Sequence, residues 1–437
     1  MRRLPLRGAD VVLMAHHPRW NGVGLGHNTI LVVECDGPIE SDRTARAWDR
    51  FLDVCPWPAA RLRRPFPWGK LHWAAGPRGS LARPPLRRVT ITARGELQQE
   101  LQTELNVALE PRREAPVRML IVDDESARAA PSSVLVLTWF HPLMDAHGGE
   151  NLLTHLNELD RYVDAMPWGD TPPVFVSDRD RRSFLERSRI ARSSLEYLRT
   201  LAPVPPVSAG RPPLPPGRSC FRRQSFIAPD PTDQRATREI CWRVALVGKA
   251  MSELWRRRDL ADVPCLLPIS VDVRPKGEVG ATFGNHLAFH FARFRSSETA
   301  DVPALARALR RQMAEAVRDG RVEASQVALQ FLQYRPLSRM LQLLPWTTGG
   351  ELFSFNCADL ADWPYAVAEC FGRKVLNAYH IPVVPPRPGI GVFFNRCAGR
   401  NNVVVSWIDG VVSDAEAARI IEVIREGMGW LETDSPI

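Results

Sequence analysis

Two side chains near the middle of this chain have the types and spacing that acid–base chemistry needs. His141 and Asp145 lie four residues apart within residues 138–149. A neutral imidazole near pH 7 can take a proton from a hydroxyl or amine as it attacks a carbonyl carbon. None of the other nine histidines is followed by aspartate at the fourth position. The spacing makes His141 the candidate general base.

The flanking sequence predicts that this pair lies on a loop between a strand and a helix. Residues 134–137 are apolar and indicate a buried strand, and residues 151–162 have the amphipathic pattern of a helix. Asp145 can hold the loop in shape. Gly148 and Gly149 permit a tight turn and leave backbone N–H groups at a helix start, where negative charge is favoured. A bare H-x-x-x-D arises by chance in roughly every second chain like this, so the context carries the prediction.

Other chemistries fit the sequence less well. His141, Asp145 and His147 are possible metal ligands. A second pair, His286 and His290, lies four apart, but no further ligand has a recognised spacing and no cysteine joins them, so we predict no metal site. The chain lacks a G-x-S-x-G nucleophile elbow. Its eight cysteines include no C-x-x-C pair, which favours reduced thiols in a cytoplasmic protein.

Alternating strand and helix periodicities predict a layered α/β (α+β) fold that positions these residues. A stretch with nine prolines within residues 202–233 favours a linker, because proline is excluded from helix interiors and central strands. We therefore predict an N-terminal subdomain at 1–200, a crossover at 201–233 and a C-terminal subdomain at 234–437. Strands are predicted at 29–34, 117–123, 134–140, 265–273, 286–291 and 403–408, and helices at 42–54, 151–162, 234–257, 302–318 and 415–428.

The amino-acid composition limits the classes of molecule that this protein is expected to bind. The net charge of +8 comes mainly from scattered arginines, without a basic helix carrying interleaved aromatics, so we predict no nucleic-acid binding. A mildly basic surface favours anionic partners such as the phosphates of CoA or an acidic carrier protein. No apolar stretch of about 18 residues is present, and the basic start is not followed by an apolar region. We expect neither a transmembrane segment nor a signal peptide.

Three segments resemble the condensation-domain and wax ester synthase/diacylglycerol acyltransferase branch of the chloramphenicol acetyltransferase-like superfamily. Residues 140–148 are similar to the H-H-x-x-x-D-G motif of that family, with Phe140 in place of the first histidine and Ala146 in place of the glycine. Residues 268–275, followed by 283–286, resemble its strand ending in Arg-Pro and its later Gly-Asn. More weakly, residues 353–356 and the end of the chain resemble its Ser-Asn segment and final strand–strand–helix.

The resemblance implies a V-shaped pseudo-dimer of two chloramphenicol acetyltransferase-like subdomains, with His141 where they meet. His141 would be the general base, and Asp145 would form a structural ion pair with Arg274. A substrate-lining or oxyanion-stabilising role would fall to Gly148, Asn285, Ser354 and Asn356.

The implied protein is a stand-alone acyltransferase with no bound cofactor. Its co-substrate would be an acyl thioester, on CoA or on the phosphopantetheine of a carrier protein acting in trans. The acceptor would be a small-molecule alcohol or amine, giving an ester or an amide. A monomer suffices, because the two halves build the site between them. One alternative stays open: a catalytically silent relative that binds a carrier protein or another partner, which the replacements at Phe140 and Ala146 motivate.

Overall fold

The computed structural model describes residues 2–15, 28–64, 69–77, 83–126, 132–162, 182–201, 204, 217–228, 240–274, 282–332, 353–362, 368–385 and 388–432. The strands in these ranges, numbered along the chain, are β1 (Arg2–Pro5), β2 (Asn28–Cys35), β3 (Arg61–Arg63), β4 (His72–Ala75), β5 (Leu86–Ile91), β6 (Val117–Asp124), β7 (Ser132–Phe140), β8 (Ser219–Ile227), β9 (Pro264–Asp272), β10 (Leu287–Arg295), β11 (Asn356–Asp362), β12 (Glu369–Cys370), β13 (Arg373–Pro382), β14 (Ile390–Cys397), β15 (Arg400–Ile408) and β16 (Leu431–Glu432). The helices are α1 (Gly8–Ala15), α2 (Ser41–Val54), α3 (Arg94–Asn106), α4 (Ala146–Arg161), α5 (Phe184–Arg199), α6 (Ile240–Arg256), α7 (Val302–Arg318), α8 (Arg321–Leu332) and α9 (Asp414–Met428).

A six-stranded sheet in the order β12-β13-β2-β7-β6-β5 forms the N-terminal layer. Its central strands β2 and β7 are buried along nearly their whole length, which explains why they appear as continuous apolar runs in the sequence. Apolar side chains of α2 and α4 pack on one face, and those of α3 pack on the other. Two covered faces hold β7 rigidly, and the segment that carries His141 follows directly from its end.

A five-stranded sheet in the order β11-β14-β15-β8-β16 forms the second layer, and α6 and α9 cover it. Ser413 and Glu416 form a capping box at the start of α9, and Gly429 caps its end with a φ of 64°, in the left-handed region that favours glycine. The predicted helix over 302–318 coincides with α7.

Strands β9 and β10 form a separate antiparallel ribbon in which Asp272 pairs with Leu287. At that end of the ribbon, Val273 N–H donates to the His286 carbonyl at 3.0 Å. The ribbon therefore brings Arg274 and the segment 282–286 to the same place, beside the end of β7.

One strand links the two layers. Strand β13 comes from the C-terminal part of the chain but lies in the N-terminal sheet, where it pairs antiparallel with β2 and places His380 opposite Leu31. The sheets are therefore not divided strictly by sequence halves.

Part of the crossover predicted at 201–233 is a strand, which the prolines of this stretch did not predict. Residues 219–227 form β8, which lies between β15 and β16 in the second sheet. The reason is local, because no proline occurs between positions 217 and 228, so this stretch can pair on both sides. The predicted start of a helix at 234–239 lies outside the described residues, and α6 is described from Ile240.

Candidate active site

The segment carrying His141 is a short connection between β7 and α4. His141–Leu143 form a 3₁₀ turn directly after Phe140, and Met144 N–H closes it by donating to the His141 carbonyl at 3.2 Å. The His141 side chain is half-buried, and burial lowers its pKa from the ordinary value. A lowered pKa keeps the imidazole neutral at pH 7, which is the form that can accept a proton.

Asp145 caps α4 and ties it to the ribbon. Its Oδ1 accepts from Gly148 N–H at 2.9 Å and from Arg274 Nη2 at 2.6 Å, and its Oδ2 accepts from His286 N–H at 3.0 Å. Burial raises the pKa of this carboxyl, but the charge and hydrogen bond of Arg274 outweigh burial and hold the pKa well below its usual range. The cap also explains why α4 begins at Ala146, before the predicted start at 151.

The pairing of Asp145 with Arg274 that the resemblance implied is present, and both side chains are almost fully buried. Arg274 Nη1 also donates to Asp272 Oδ1 at 3.2 Å, so the guanidinium joins two carboxylates. This pair connects the end of the ribbon to the start of α4.

The segment 282–286 packs directly against the turn that carries His141. Gly284 N–H donates to the Leu143 carbonyl at 2.7 Å, and Met144 and Gly284 form a parallel β-bridge. A Cβ on Gly148 would lie 2.2 Å from the Thr282 carbonyl oxygen, so only glycine allows this approach. The Gly148 N–H is already donated to Asp145, as described above.

A third element reaches this place from the start of the chain. Asp10 on α1 is 2% exposed, and its Oδ1 accepts from Asn285 N–H at 2.8 Å and from Asn285 Nδ2 at 2.7 Å. Asn285 Nδ2 also donates to the His141 carbonyl at 3.0 Å. Burial raises the pKa of Asp10 to about 6. Sequence reasoning missed Asp10, although it is the only charged residue in α1.

Behind the Asp145 cap, Glu150 is 2% exposed and accepts from two histidines. His147 Nδ1 lies 2.8 Å from Glu150 Oε2, and His380 Nε2 lies 2.9 Å from Glu150 Oε1. Burial lowers the pKa of His147, but the hydrogen bond and charge of Glu150 outweigh it and raise the pKa to about 9. His147 therefore carries a positive charge at pH 7.

Two of the residues singled out in the sequence lie elsewhere. The Ser354 hydroxyl accepts from Leu266 N–H at 3.1 Å, which places Ser354 beside β9, six residues or about 20 Å of strand before Asp272. Asn356 opens β11 and pairs with Gly391 of β14. Neither side chain has a hydrogen bond to His141, Asp145 or Arg274 among those that the structure describes.

The two replacements in the motif have local explanations. Phe140 is fully buried, and its ring meets that of Trp73 edge-on at 6.3 Å, so it belongs to the apolar core. Ala146 is the first residue of α4 and is not among the residues with positive φ, so its backbone conformation does not require glycine.

Within the described ranges, no group of three or more His, Cys, Asp or Glu side chains is arranged to hold a metal ion. In the same ranges no helix has the length and apolar character needed to cross a membrane.

No protein-family model matches the chain, and no curated protein matches it in sequence. Solved structures do match it. The first condensation domain of the calcium-dependent antibiotic synthetase, in complex with a substrate analogue, aligns over 98% of this chain and 96% of its own, with a TM-score of 0.69 and 16% identity. The chain has the condensation-domain fold.

Two further condensation domains share this fold. That of the monacolin K polyketide synthase covers 98% of this chain and 97% of its own, with a TM-score of 0.65 and 12% identity. The starter condensation domain of rhizomide synthetase, in a complex of a variant with C8-CoA and Leu-SNAC, covers 98% and 94%, with a TM-score of 0.62 and 13% identity. The predicted fold class, a layered α/β fold of two chloramphenicol acetyltransferase-like subdomains, is confirmed.

Proposed function

We propose that this protein is an acyltransferase that moves an acyl group from a thioester to a small-molecule amine or alcohol, with His141 as the general base. The thioester is carried by CoA or by the phosphopantetheine of a carrier protein in trans. No bound cofactor takes part, and a monomer contains the whole site.

One observation carries this proposal: His141 lies on a turn that is held from two sides. The Asp145–Arg274 pair fixes the start of α4, and the 282–286 segment packs on the turn, where its Asn285 binds the His141 carbonyl. Catalytic bases need such positioning, since a displacement of about 1 Å can lower a rate about 10²-fold.

The protonation state of His141 also supports the proposal. Burial lowers its pKa, so the imidazole is neutral at pH 7 and can take the proton of the attacking N–H or O–H group. The nucleophile then forms a bond to the acyl carbon, and the bond from that carbon to sulfur breaks. The thiolate receives the proton, so the products are a free thiol and an amide or ester.

The choice of substrates follows from the structural relatives. A rhizomide synthetase starter domain with the same fold was solved with C8-CoA and Leu-SNAC. That complex supports a CoA thioester as the acyl donor and an amine as the acceptor, and these are the substrates to test first. The net charge of +8 is compatible with a donor that carries phosphates.

The test is thiol release from a panel of acyl-CoA and acyl-SNAC thioesters, each mixed with amines or alcohols. We expect acceptor-dependent release by the wild-type protein and a loss of about 10²–10⁴-fold in a folded His141→Ala variant. His72→Gln is the matched control. His72 lies on β4 next to Trp73, which contacts Phe140, and adjacent strand residues face opposite sides. Equal release by wild type and His141→Ala would remove His141 as the base.

A further inference from the structure

The N-terminal helix α1 is bound to the candidate active site through one buried carboxylate. All three described hydrogen bonds to Asp10 come from N–H donors: Arg7 N–H at 2.6 Å, Asn285 N–H at 2.8 Å and Asn285 Nδ2 at 2.7 Å. A carboxylate has only acceptor oxygens, so this environment matches the ionised form. A proton on Oδ1, which accepts two of these bonds, would have to displace one of its donors.

Asn285 passes this contact on to the turn that carries His141. Its amide group has two hydrogens, and Nδ2 lies within hydrogen-bond distance of two acceptors, Asp10 Oδ1 at 2.7 Å and the His141 carbonyl at 3.0 Å. Because both acceptors lie at one end of the amide, that end must be the nitrogen, and this fixes the orientation of the amide. No amide hydrogen is then left for a substrate oxyanion, which argues for positioning instead of the oxyanion role considered for Asn285.

The residues that flank Asn285 in space are themselves held by close packing on one side and by a hydrogen bond on the other. Gly8, two residues before Asp10, lies so close to α8 that an added Cβ would be 2.1 Å from the Leu329 carbonyl oxygen. On the other side, His286 N–H is bound by Asp145. Asn285 therefore lies between two buried carboxylates, one from α1 and one from the start of α4.

We propose that Asp10 is a positioning residue for His141, acting through Asn285, and that its ionised form is the one that holds the turn for catalysis. The inference rests on the proposed acyltransferase function and adds to it a control by the N-terminal helix. Asp10 itself touches no reacting atom.

This role predicts a particular pH dependence. The titratable groups around Asp10 are Arg7 on its own segment, His286 beside Asn285 and His141 beyond it, with Asp145 and Arg274 on the far side of His286. Residues 325–332 of α8 carry no titratable side chain. Burial raises the pKa of Asp10 to about 6, whereas it lowers that of His141. As the pH falls through about 6, Asp10 takes up a proton and the turn loosens.

The experiment measures kcat and KM from pH 5 to 8 for the wild-type protein, Asp10→Asn, Asp10→Ala, Asn285→Ala and the Asp10→Ala/Asn285→Ala double variant. Asp124→Asn is the matched control, because Asp124 is a buried carboxyl opposite Ser132, eight residues or about 26 Å along β7 from Phe140. Thermal melting shows which variants fold. Asp10→Asn keeps the shape and one acceptor oxygen, so it decides the outcome if the alanine variants do not fold.

We expect the wild-type kcat to fall below pH about 6. Asp10→Asn cannot ionise and should have a lower kcat than wild type even at pH 8, and Asp10→Ala should lose about 10²-fold in kcat with little change in KM. The double variant should be no worse than the poorer single variant, because both act through one path. Losses that multiply, or a kcat of Asp10→Asn at pH 8 equal to that of wild type, would overturn the proposal.

A second readout separates this proposal from the proposed function. The His141 ring resonance is assigned in histidine-labelled protein by its loss in His141→Ala and is titrated in wild type and Asp10→Asn. A looser turn exposes the ring, so its pKa should rise towards the ordinary histidine value in Asp10→Asn. An unchanged His141 titration would overturn the positioning role. Absence of acyl transfer in the wild type with an altered titration would instead overturn only the enzyme activity.

Discussion

His380 donates a hydrogen bond from Nε2 to Glu150 Oε1 at 2.9 Å, and so joins β13 to α4 across the inside of the N-terminal layer. Glu150 binds His147 with its other oxygen at 2.8 Å. Burial raises the pKa of Glu150, but the hydrogen bonds from His147 and His380 outweigh it and lower the pKa overall. Helix α4, which Asp145 caps, is therefore fixed at its first turn and is also bound to β13.

Replacing Glu150 with glutamine should destabilise the protein. The amide removes the charge that binds His147 and leaves one of the two histidine donors facing an NH₂ group. We expect a loss of about 2–3 kcal/mol in the free energy of unfolding, as for a hydrogen bond to a charged group. Urea denaturation at pH 7 measures it. Glu158→Gln is a suitable control, because Glu158 lies on the same helix with its side chain 42% exposed. Equal stability of the two variants would contradict a structural role for Glu150.

The same network should make stability depend on pH in the alkaline range. The pKa of His147 is raised to about 9 in the folded protein, above its ordinary value of 6.5. The charged form therefore stabilises the fold fully below pH about 6.5, and this stabilisation is lost as the pH rises through about 9. Urea midpoints at pH 6, 7.5 and 9.5 should fall in wild type. They should fall less in His147→Ala, and parallel curves would exclude His147 as the cause.

Breaking the pair between Arg274 and Asp145 should be costly. Arg274→Met leaves the Asp145 carboxylate buried without its counter-charge, and removing one partner of such a pair typically destabilises by about 3–5 kcal/mol. The double variant Asp145→Asn/Arg274→Met removes both charges and should recover part of that loss. Chemical denaturation of the two single variants and the double variant tests this. Strictly additive losses would show that the two side chains are not coupled.

Adding a methyl group at Gly148 should damage the site without any change of charge. The new Cβ of Gly148→Ala would lie 2.2 Å from the Thr282 carbonyl oxygen, so the 282–286 segment must shift. We expect a destabilisation of about 1–3 kcal/mol together with loss of thiol release. Gly95→Ala in α3 is the control, because a Cβ there meets nothing within 4 Å. Similar behaviour of the two alanine variants would argue against close packing at Gly148.

Restoring the two missing motif residues should not improve the protein. Phe140→His places a polar ring in a fully buried apolar position beside Trp73, and we expect a loss of about 2 kcal/mol or more. Ala146→Gly changes a helical residue whose conformation does not need glycine, at a loss of about 0.5–1 kcal/mol. Thiol release and thermal melting of both variants are the measurements. A large gain in activity in either would favour the silent-relative alternative for the natural chain.

The sequence predicts those parts of the structure that depend on neighbouring residues, and it misses most contacts between residues far apart in the chain. The turn of His141 and the helices α7 and α9 depend on neighbouring residues, so spacing and capping patterns locate them. Arg274 lies 129 positions from Asp145, and only the resemblance connected the two. Asp10 lies 275 positions from Asn285, and no motif marks it. Strand β8 was hidden because flanking prolines dominated the composition of its segment.

Strand β13 also constrains how the chain can be made. Until residues 373–382 have left the ribosome, β2 has an open edge where β13 will later pair. Unpaired strand edges of apolar sequence are prone to join other chains. Synthesis of the chain through residue 382 must therefore precede closure of this sheet. A nascent chain stalled before residue 373 should bind chaperones and resist release in folded form.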